Sequence, residues 1–316
     1  MKIVLIESLA VDRTYIEKLA APLKEHGHEF VSFDKRAADP AELKKMAGDA
    51  DIVIEGNQPL GRDMLKALEK CRYISVGFSG VDHVDAATAR EMGITVSNSA
   101  GYANDSVPEL ALGMMLGLLR NIPLVDKACR EGKTKDGLVG NELRGKTVGI
   151  IGMGGTGYRM AEILKVFDCN IVFSVPHVRD NMLKFGRPVN LDELLAVSDI
   201  VTLHCPLTDE TIGLIGKEQI EKMKKTAILI NTSRGPVVDS SALADALNTG
   251  RIAGAGVDVF ETEPPIDVDH PLLKARNCIV TPHVAFATKE SMIKRADIAF
   301  NNVYRYLEGD PVNIKI

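Results

Sequence analysis

Hydrophobic positions along this chain follow two periods. Short β-branched runs at Lys2–Ile6, Glu29–Phe33, Asp51–Glu55 and Tyr73–Gly77 read as strands. Between the first two, Asp12–His26 places Tyr15, Leu19 and Leu23 four residues apart, which predicts an amphipathic helix. Residues 1–99 therefore read as one small α/β unit. Ser106–Arg120 is apolar almost throughout and predicts a buried helix leaving that unit. Lys127–Lys146 is polar and contains glycine, so an exposed stretch is expected there. A second α/β series opens at Thr147–Ile151. Its later strands are expected at Asn170–Ser174, Asp199–His204, Ala227–Asn231, Ala253–Val259 and Asn277–Thr281. Thr288–Leu307 predicts a closing amphipathic helix. Strands alternating with helices in this way imply parallel sheets with helices packed on both faces.

Length and charge narrow the function classes. A chain of 316 residues exceeds one hydrophobic core, so two domains are expected. The net charge of −5 offers no basic surface to nucleic acid or to an anionic membrane. No apolar run is long enough to span a bilayer. A small-molecule partner is expected instead. The N-terminus enters a strand at once and lacks a cleavage pattern. The five scattered cysteines (Cys71, Cys129, Cys169, Cys205, Cys278) form no C-x-x-C pair, so they read as reduced thiols in a cytoplasmic protein. The histidines show no metal-ligand spacing, and no metal is expected.

The first chemical signal follows Thr147–Ile151. Gly152-Met153-Gly154-Gly155-Thr156-Gly157 matches G-x-G-x-x-G, and a helical pattern continues through Phe167. Gly152 permits a tight turn, Gly154 lets a pyrophosphate approach the backbone, and Gly157 lets helix and strand pack closely. Gly155 and Thr156 lie at the helix N-terminus, whose N–H groups and positive dipole end hold an anion. A dinucleotide site is expected. The next strand normally ends in an acidic residue that binds the ribose 2′-hydroxyl. Here it ends Phe173-Ser174-Val175-Pro176-His177, with Arg179 just beyond. Without a carboxylate at Val175, nothing repels a 2′-phosphate, and Ser174, His177 and Arg179 can bind one. The cofactor is expected to be NAD(P), with NADP favoured; the alternatives are NAD bound without the carboxylate, or Asp180 serving in its place.

Three further segments fall at C-terminal ends of expected strands, the edge where open α/β sheets take ligands. They are Asn231-Thr232-Ser233-Arg234-Gly235-Pro236, Gly256-Val257-Asp258-Val259-Phe260-Glu261-Thr262-Glu263-Pro264-Pro265, and Thr281-Pro282-His283. A cation, a carboxylate and an imidazole beside a nicotinamide suffice to reduce a 2-oxo acid. Arginine pairs with the substrate carboxylate and polarises the ketone. Histidine delivers a proton near neutrality, and a neighbouring carboxylate raises its pKa and orients its ring.

On these stretches, together with Leu203-His204-Cys205-Pro206-Leu207-Thr208, the sequence resembles the D-isomer-specific 2-hydroxyacid dehydrogenase family. The resemblance implies a Rossmann cofactor domain and a smaller flavodoxin-like substrate domain, both doubly wound parallel sheets with a cleft between them. The substrate domain would be residues 1–99 plus 287–316, and the cofactor domain 100–286. The resemblance implies that Arg234 binds substrate, that Glu263 pairs with His283, and that His283 is the general acid/base. It implies that Asp258 holds the nicotinamide carboxamide and that Cys205, Pro206, Thr211, Thr232 and Ser233 line the cofactor. The loop at Ser79 and Gly80 would offer N–H groups to the substrate carboxylate, with Tyr102 beside it. Relatives are usually dimeric, and Leu110–Leu119 is either a two-fold interface or simply a buried helix. Related formate dehydrogenases carry glutamine at Glu263, which argues against formate. Hydroxypyruvate/glycerate is the favoured pair. 3-Phosphoglycerate is second, with Arg62 and Lys66 as its cations, and a non-catalytic dinucleotide-sensing protein is the alternative outside catalysis.

Overall fold

Each expected strand forms, most of them one or two residues shorter at their ends. The computed structural model describes residues 1–262 and 265–316. In chain order the first elements are β1 (Lys2–Leu5), α1 (Arg13–Glu25), β2 (Glu29–Ser32), α2 (Pro40–Ala47), β3 (Ile52–Glu55), α3 (Arg62–Ala67), β4 (Tyr73–Val76), α4 (Ala86–Glu91) and β5 (Thr95–Asn98). Next come α5 (Ser106–Leu119), α6 (Ile122–Arg130), β6 (Thr147–Ile151), α7 (Gly155–Val166), β7 (Asn170–Ser174), α8 (Asp180–Leu183), β8 (Arg187–Pro188) and α9 (Leu191–Val197). The series closes with β9 (Ile200–Leu203), α10 (Lys217–Lys222), β10 (Ile228–Asn231), α11 (Ser240–Asn248), β11 (Gly254–Val257), β12 (Cys278–Val280) and α12 (Lys289–Leu307).

The chain divides into two units, Met1–Ala103 with Ala287–Ile316, and Asn104–Phe286. Residues 100–103, expected with the second unit, belong to the first. In the first unit five parallel strands lie in the order β2-β1-β3-β4-β5. One face is covered by α1 and α12: Ile16, Ala20 and Leu23 meet Ala296, Ala299, Phe300 and Val303 over Ile3, Leu5, Ile52, Ile54 and Tyr73. Burying each of the Ile, Leu, Val and Phe side chains among them contributes about 1.5–3 kcal/mol. Polar ties fix α12 on the sheet. Ser75 Oγ donates to the Ala299 carbonyl at 2.8 Å, and the Tyr73 hydroxyl donates to the Asn302 carbonyl at 3.2 Å.

In the second unit seven parallel strands run β12-β11-β10-β9-β6-β7-β8. Strand order reverses between β6 and β9 here, and between β1 and β3 in the first unit. Open sheets bind ligands beyond the strand C-termini at such reversals. Helix α5 is buried through Ala111, Met114, Met115 and Leu118, as its apolar pattern predicts. The stretch from Lys127 is largely exposed, as expected, and α6 runs into it. This helix is mostly exposed and carries charged pairs one turn apart, Asp126 with Arg130 at 2.9 Å and Lys127 with Glu131 at 3.9 Å, which support a helix that buries little. Among the described residues no single helix is long and apolar enough to cross a membrane.

Candidate active site

The turn after β6 shows why its glycines are needed. Gly152 adopts φ +91°, a backbone conformation that a side chain resists. A Cβ on Gly157 would lie 2.0 Å from the Gly152 carbonyl oxygen, so α7 can rise directly off β6 only with glycine there. Gly154 and Gly155 are exposed and Thr156 is half-buried at the start of the twelve-residue α7. No atom crowds the Gly154 position within 4 Å, which leaves the helix N-terminus open to an anion. The neighbouring strand joins in through His204, whose N–H donates to the Ile151 carbonyl at 2.8 Å.

Ser174 and Val175 are half-buried at the end of β7, and His177 and Arg179 are exposed beyond it. Arg179 turns back toward the glycine loop, its Nη2 donating to the Met153 carbonyl at 2.9 Å. Asp180 opens α8 and is exposed. After β9, His204 and Cys205 are buried and Pro206 is exposed. Burial pushes the His204 imidazole down to about 4, so it is neutral, and its Nε2 meets Thr202 Oγ1 at 3.0 Å. Burial raises the Cys205 thiol, which therefore stays protonated. Thr211 Oγ1 donates to the Pro206 carbonyl at 2.7 Å and accepts the Thr208 N–H at 2.8 Å, closing that loop.

The end of β10 is shaped by Asn231, a residue the sequence reading left without a role. Its Oδ1 accepts the Ser233 N–H at 3.0 Å and the Ser233 hydroxyl at 2.9 Å, and its Nδ2 donates to the Arg234 carbonyl at 3.0 Å. This Asx turn is the kind asparagine favours after a strand. It orients the half-buried Arg234, whose Nη1 also donates to the Ser233 carbonyl at 2.9 Å. A Cβ on Gly235 would lie 2.0 Å from the Phe260 carbonyl carbon, so glycine lets this turn close on the end of β11. Thr232 Oγ1 is sealed from solvent with no hydrogen-bond partner. An orphaned buried hydroxyl, an open helix N-terminus and a glycine cradle fit a dinucleotide along this edge.

Asp258, after β11, is fully buried and anchors the loop that carries His283. Its Oδ1 accepts the Thr281 hydroxyl and the Val284 N–H, and its Oδ2 accepts the Ala285 N–H, the two N–H bonds both at 2.9 Å. Its carbonyl accepts the His283 N–H at 2.7 Å. Burial raises the Asp258 carboxyl, against these hydrogen bonds and the nearby His283, which all favour the charge. His283 itself is half-buried at φ +54°, a left-handed conformation uncommon outside glycine, and its ring packs edge-on against Phe286 at 5.1 Å. Strain of this kind persists only where surroundings over-determine it, and Asp258 supplies that constraint. Glu263 lies outside the described residues.

In the first unit Ser79 is exposed and Tyr102 is buried, its ring 5.9 Å from that of Phe78. The Phe78 carbonyl accepts the Ser99 N–H at 2.9 Å, and Asn98 Nδ2 donates to the Ser79 carbonyl. With these carbonyls held by the β5 end, no backbone hydrogen bond claims the Ser79 or Gly80 N–H among the described residues. Arg62 is engaged by Glu91 on the surface at 3.3 Å, and Lys66 is exposed.

The family model "D-isomer specific 2-hydroxyacid dehydrogenase, NAD binding domain" matches residues 112–285. The chain is 38% identical over 300 residues to a hydroxypyruvate reductase from Blautia hydrogenotrophica, covering 90% of this chain and 91% of that protein. It is 37% identical over 313 residues to a glycerate dehydrogenase from Methylorubrum extorquens, covering 94% and 96%. Among solved structures, an acyclic imino acid reductase in complex with NADPH and D-Arg matches with a TM-score of 0.91 at 28% identity, over 100% of both chains.

Proposed function

This chain belongs to the D-isomer specific 2-hydroxyacid dehydrogenase family, and on that premise we propose how it acts and on what. It is an oxidoreductase of CH–OH donors that uses a nicotinamide dinucleotide. Its proposed substrates are hydroxypyruvate and D-glycerate. The observation that carries the mechanism is the strained His283, held at φ +54° by its Asp258-anchored loop after β12, with β11 between it and β10, whose end presents Arg234.

When bound, the dinucleotide supplies or takes up the hydride. Arg234 pairs with the substrate carboxylate and offsets charge developing on the carbonyl oxygen. His283 gives that oxygen its proton in reduction and removes it in oxidation. Glu263 is its proposed acidic partner, on the strength of the family pattern alone. Gly152, Gly154, Gly155, Thr156 and Gly157 would hold the pyrophosphate, and Cys205, Pro206, Thr211, Thr232 and Ser233 would line the cofactor. Asp258 would hold the carboxamide. Ser79, Gly80 and Tyr102 are the proposed substrate contacts of the first unit.

NADP is the proposed preference. Val175 stands where a carboxylate would repel the 2′-phosphate, and Arg179 keeps a cation beside the glycine loop. Similarity to a hydroxypyruvate reductase and a glycerate dehydrogenase supports the substrate pair. 3-Phosphoglycerate is the second reading: the chain is also similar to D-3-phosphoglycerate dehydrogenases, while Arg62, its candidate cation, is paired with Glu91. Exposed Ile122 and Leu124 on α6 support a homodimer that covers them. The test is oxidation of NADPH and NADH side by side with hydroxypyruvate, glyoxylate and pyruvate. Faster turnover with NADPH and hydroxypyruvate is expected. Preference for NADH overturns the cofactor assignment, and no turnover with any acid overturns the substrate assignment.

A further inference from the structure

One buried cation in the first unit has no task in the reaction so far. Arg295, on α12, is only 4% exposed, and its Nε is sealed from solvent without a hydrogen-bond partner. Its guanidinium lies over the Phe78 ring, 5.5 Å from the centroid. Glu7 and Glu55 are near enough to steady its charge, and Arg36 opposes it. Both carboxylates are engaged elsewhere. Glu7 Oε1 accepts the N–H groups of Gly56, Asn57 and Gln58 at 2.7–2.8 Å, and its Oε2 accepts Arg36 Nε at 2.5 Å. Glu55 meets His83 Nε2 at 2.7 Å and accepts the Gln58 N–H at 3.1 Å. Among the described residues no carboxylate forms an ion pair with Arg295.

A buried guanidinium nitrogen without a hydrogen bond is costly, and α12, which carries it, is tied to the sheet by the Ser75 and Tyr73 hydroxyls. Its place is also informative. Glu7 follows β1, Glu55 ends β3 and Phe78 follows β4, so Arg295 lies at the C-terminal edge of these strands, beside the reversal of strand order where such a sheet takes ligands. Ser79 and Gly80 follow Phe78 directly. Guanidinium groups only donate hydrogen bonds, and an aromatic face beneath one fixes its plane.

We propose that Arg295 is a substrate-binding residue that recognises an oxygen on the third carbon of the 2-oxo acid, selecting hydroxypyruvate over pyruvate. The proposal rests on the reading that the chain reduces 2-oxo acids. A hydroxyl or oxyanion at that carbon accepts from the guanidinium, whereas the methyl group of pyruvate offers it nothing once water is excluded.

The test is kcat/KM for hydroxypyruvate and pyruvate in the wild type, Arg295→Met and Arg295→Lys, with melting temperatures alongside. The wild type should prefer hydroxypyruvate by on the order of a hundredfold. Arg295→Met should bring the two acids to within about threefold by losing hydroxypyruvate activity while pyruvate activity holds. Arg295→Lys should keep part of the preference and also covers the case in which the methionine variant does not fold, since it must shift the ratio about tenfold. An unchanged ratio in the variants, or equal loss of both acids, overturns the role of Arg295 and leaves the reaction class standing. A wild type that reduces neither acid removes the reaction class and this proposal with it.

Discussion

The two sheets end in crevices built by opposite means. At the β6/β9 reversal the second unit works with backbone and neutral polar groups: glycines at Gly152 and Gly157, the Asx turn of Asn231, the neutral His204 and Cys205. Among the described residues its one fully buried acid, Asp258, accepts hydrogen bonds from a single loop. At the β1/β3 reversal the first unit buries Glu7, Glu55 and Arg295, with Arg36 and His83 at their margins. Charges there hold one another in place, and removing one strands the rest. Substitution of the half-buried or exposed cations at the cofactor edge, Arg234 and Arg179, should therefore act on turnover and leave stability nearly intact, and substitutions among the buried charges should act on stability first.

Among substitutions that test this contrast, the largest effect should come from Arg234→Lys. A point charge cannot reproduce the planar fork, so kcat/KM should fall by about 10²–10³-fold with a melting temperature near the wild type. A steady-state assay beside a thermal melt checks both halves, and a destabilised variant would erase the contrast between the two edges. Next, Glu7→Ala strands three backbone N–H groups and Arg36 and should cost about 3 kcal/mol in urea unfolding. A loss below about 0.5 kcal/mol would mean these charges are not mutually dependent.

His83 sharpens the comparison through pH. Burial works against its charge, but the Glu55 carboxylate, with Asp82 and Glu7, outweighs burial and raises the imidazole above its ordinary value. The folded protein thus binds this proton more tightly than the unfolded chain does. The stabilisation is complete below the ordinary imidazole range and is lost as pH rises through the raised value. His83→Gln should cost about 1 kcal/mol or more at pH 5.5 and clearly less at pH 9, read from urea midpoints at the two pH values. Equal losses would make the contact with Glu55 an uncharged one. The smallest effect expected is that of Arg179→Ala, which should lower the NADPH-to-NADH ratio of kcat/KM by about threefold without moving the melting temperature.

Both edges were unevenly legible in the sequence, for physical reasons. β6 and β7 begin and end where the hydrophobic runs do, because a glycine turn and a proline close those runs abruptly. β5 was missed because three of its four residues are polar, and it is held by pairing with β4 and by a bridge from Ser97 to Ile314. α6 was missed because it is only nine residues long, has a proline in its first turn and runs straight into a polar stretch. At the cofactor edge, glycine spacing announces backbone geometry directly. Asn231 carried a fainter signal, an asparagine at the end of a strand. Arg295 also left a trace: it shares a helix face with Met292, Ala296 and Ala299, so a cation stands within the apolar stripe of α12. Glu7 and Glu55 come together only through strand order, which residue spacing does not reveal.

The most direct test of the proton-transfer assignment is hydroxypyruvate-dependent oxidation of NADPH by the wild type and by His283→Ala, both confirmed to be folded. The wild type should turn over, and the variant should be slower by about 10²–10⁴-fold while still binding the dinucleotide. A His283→Ala variant as fast as the wild type would contradict the account, because the strained imidazole at the end of β12 would then have no part in the reaction.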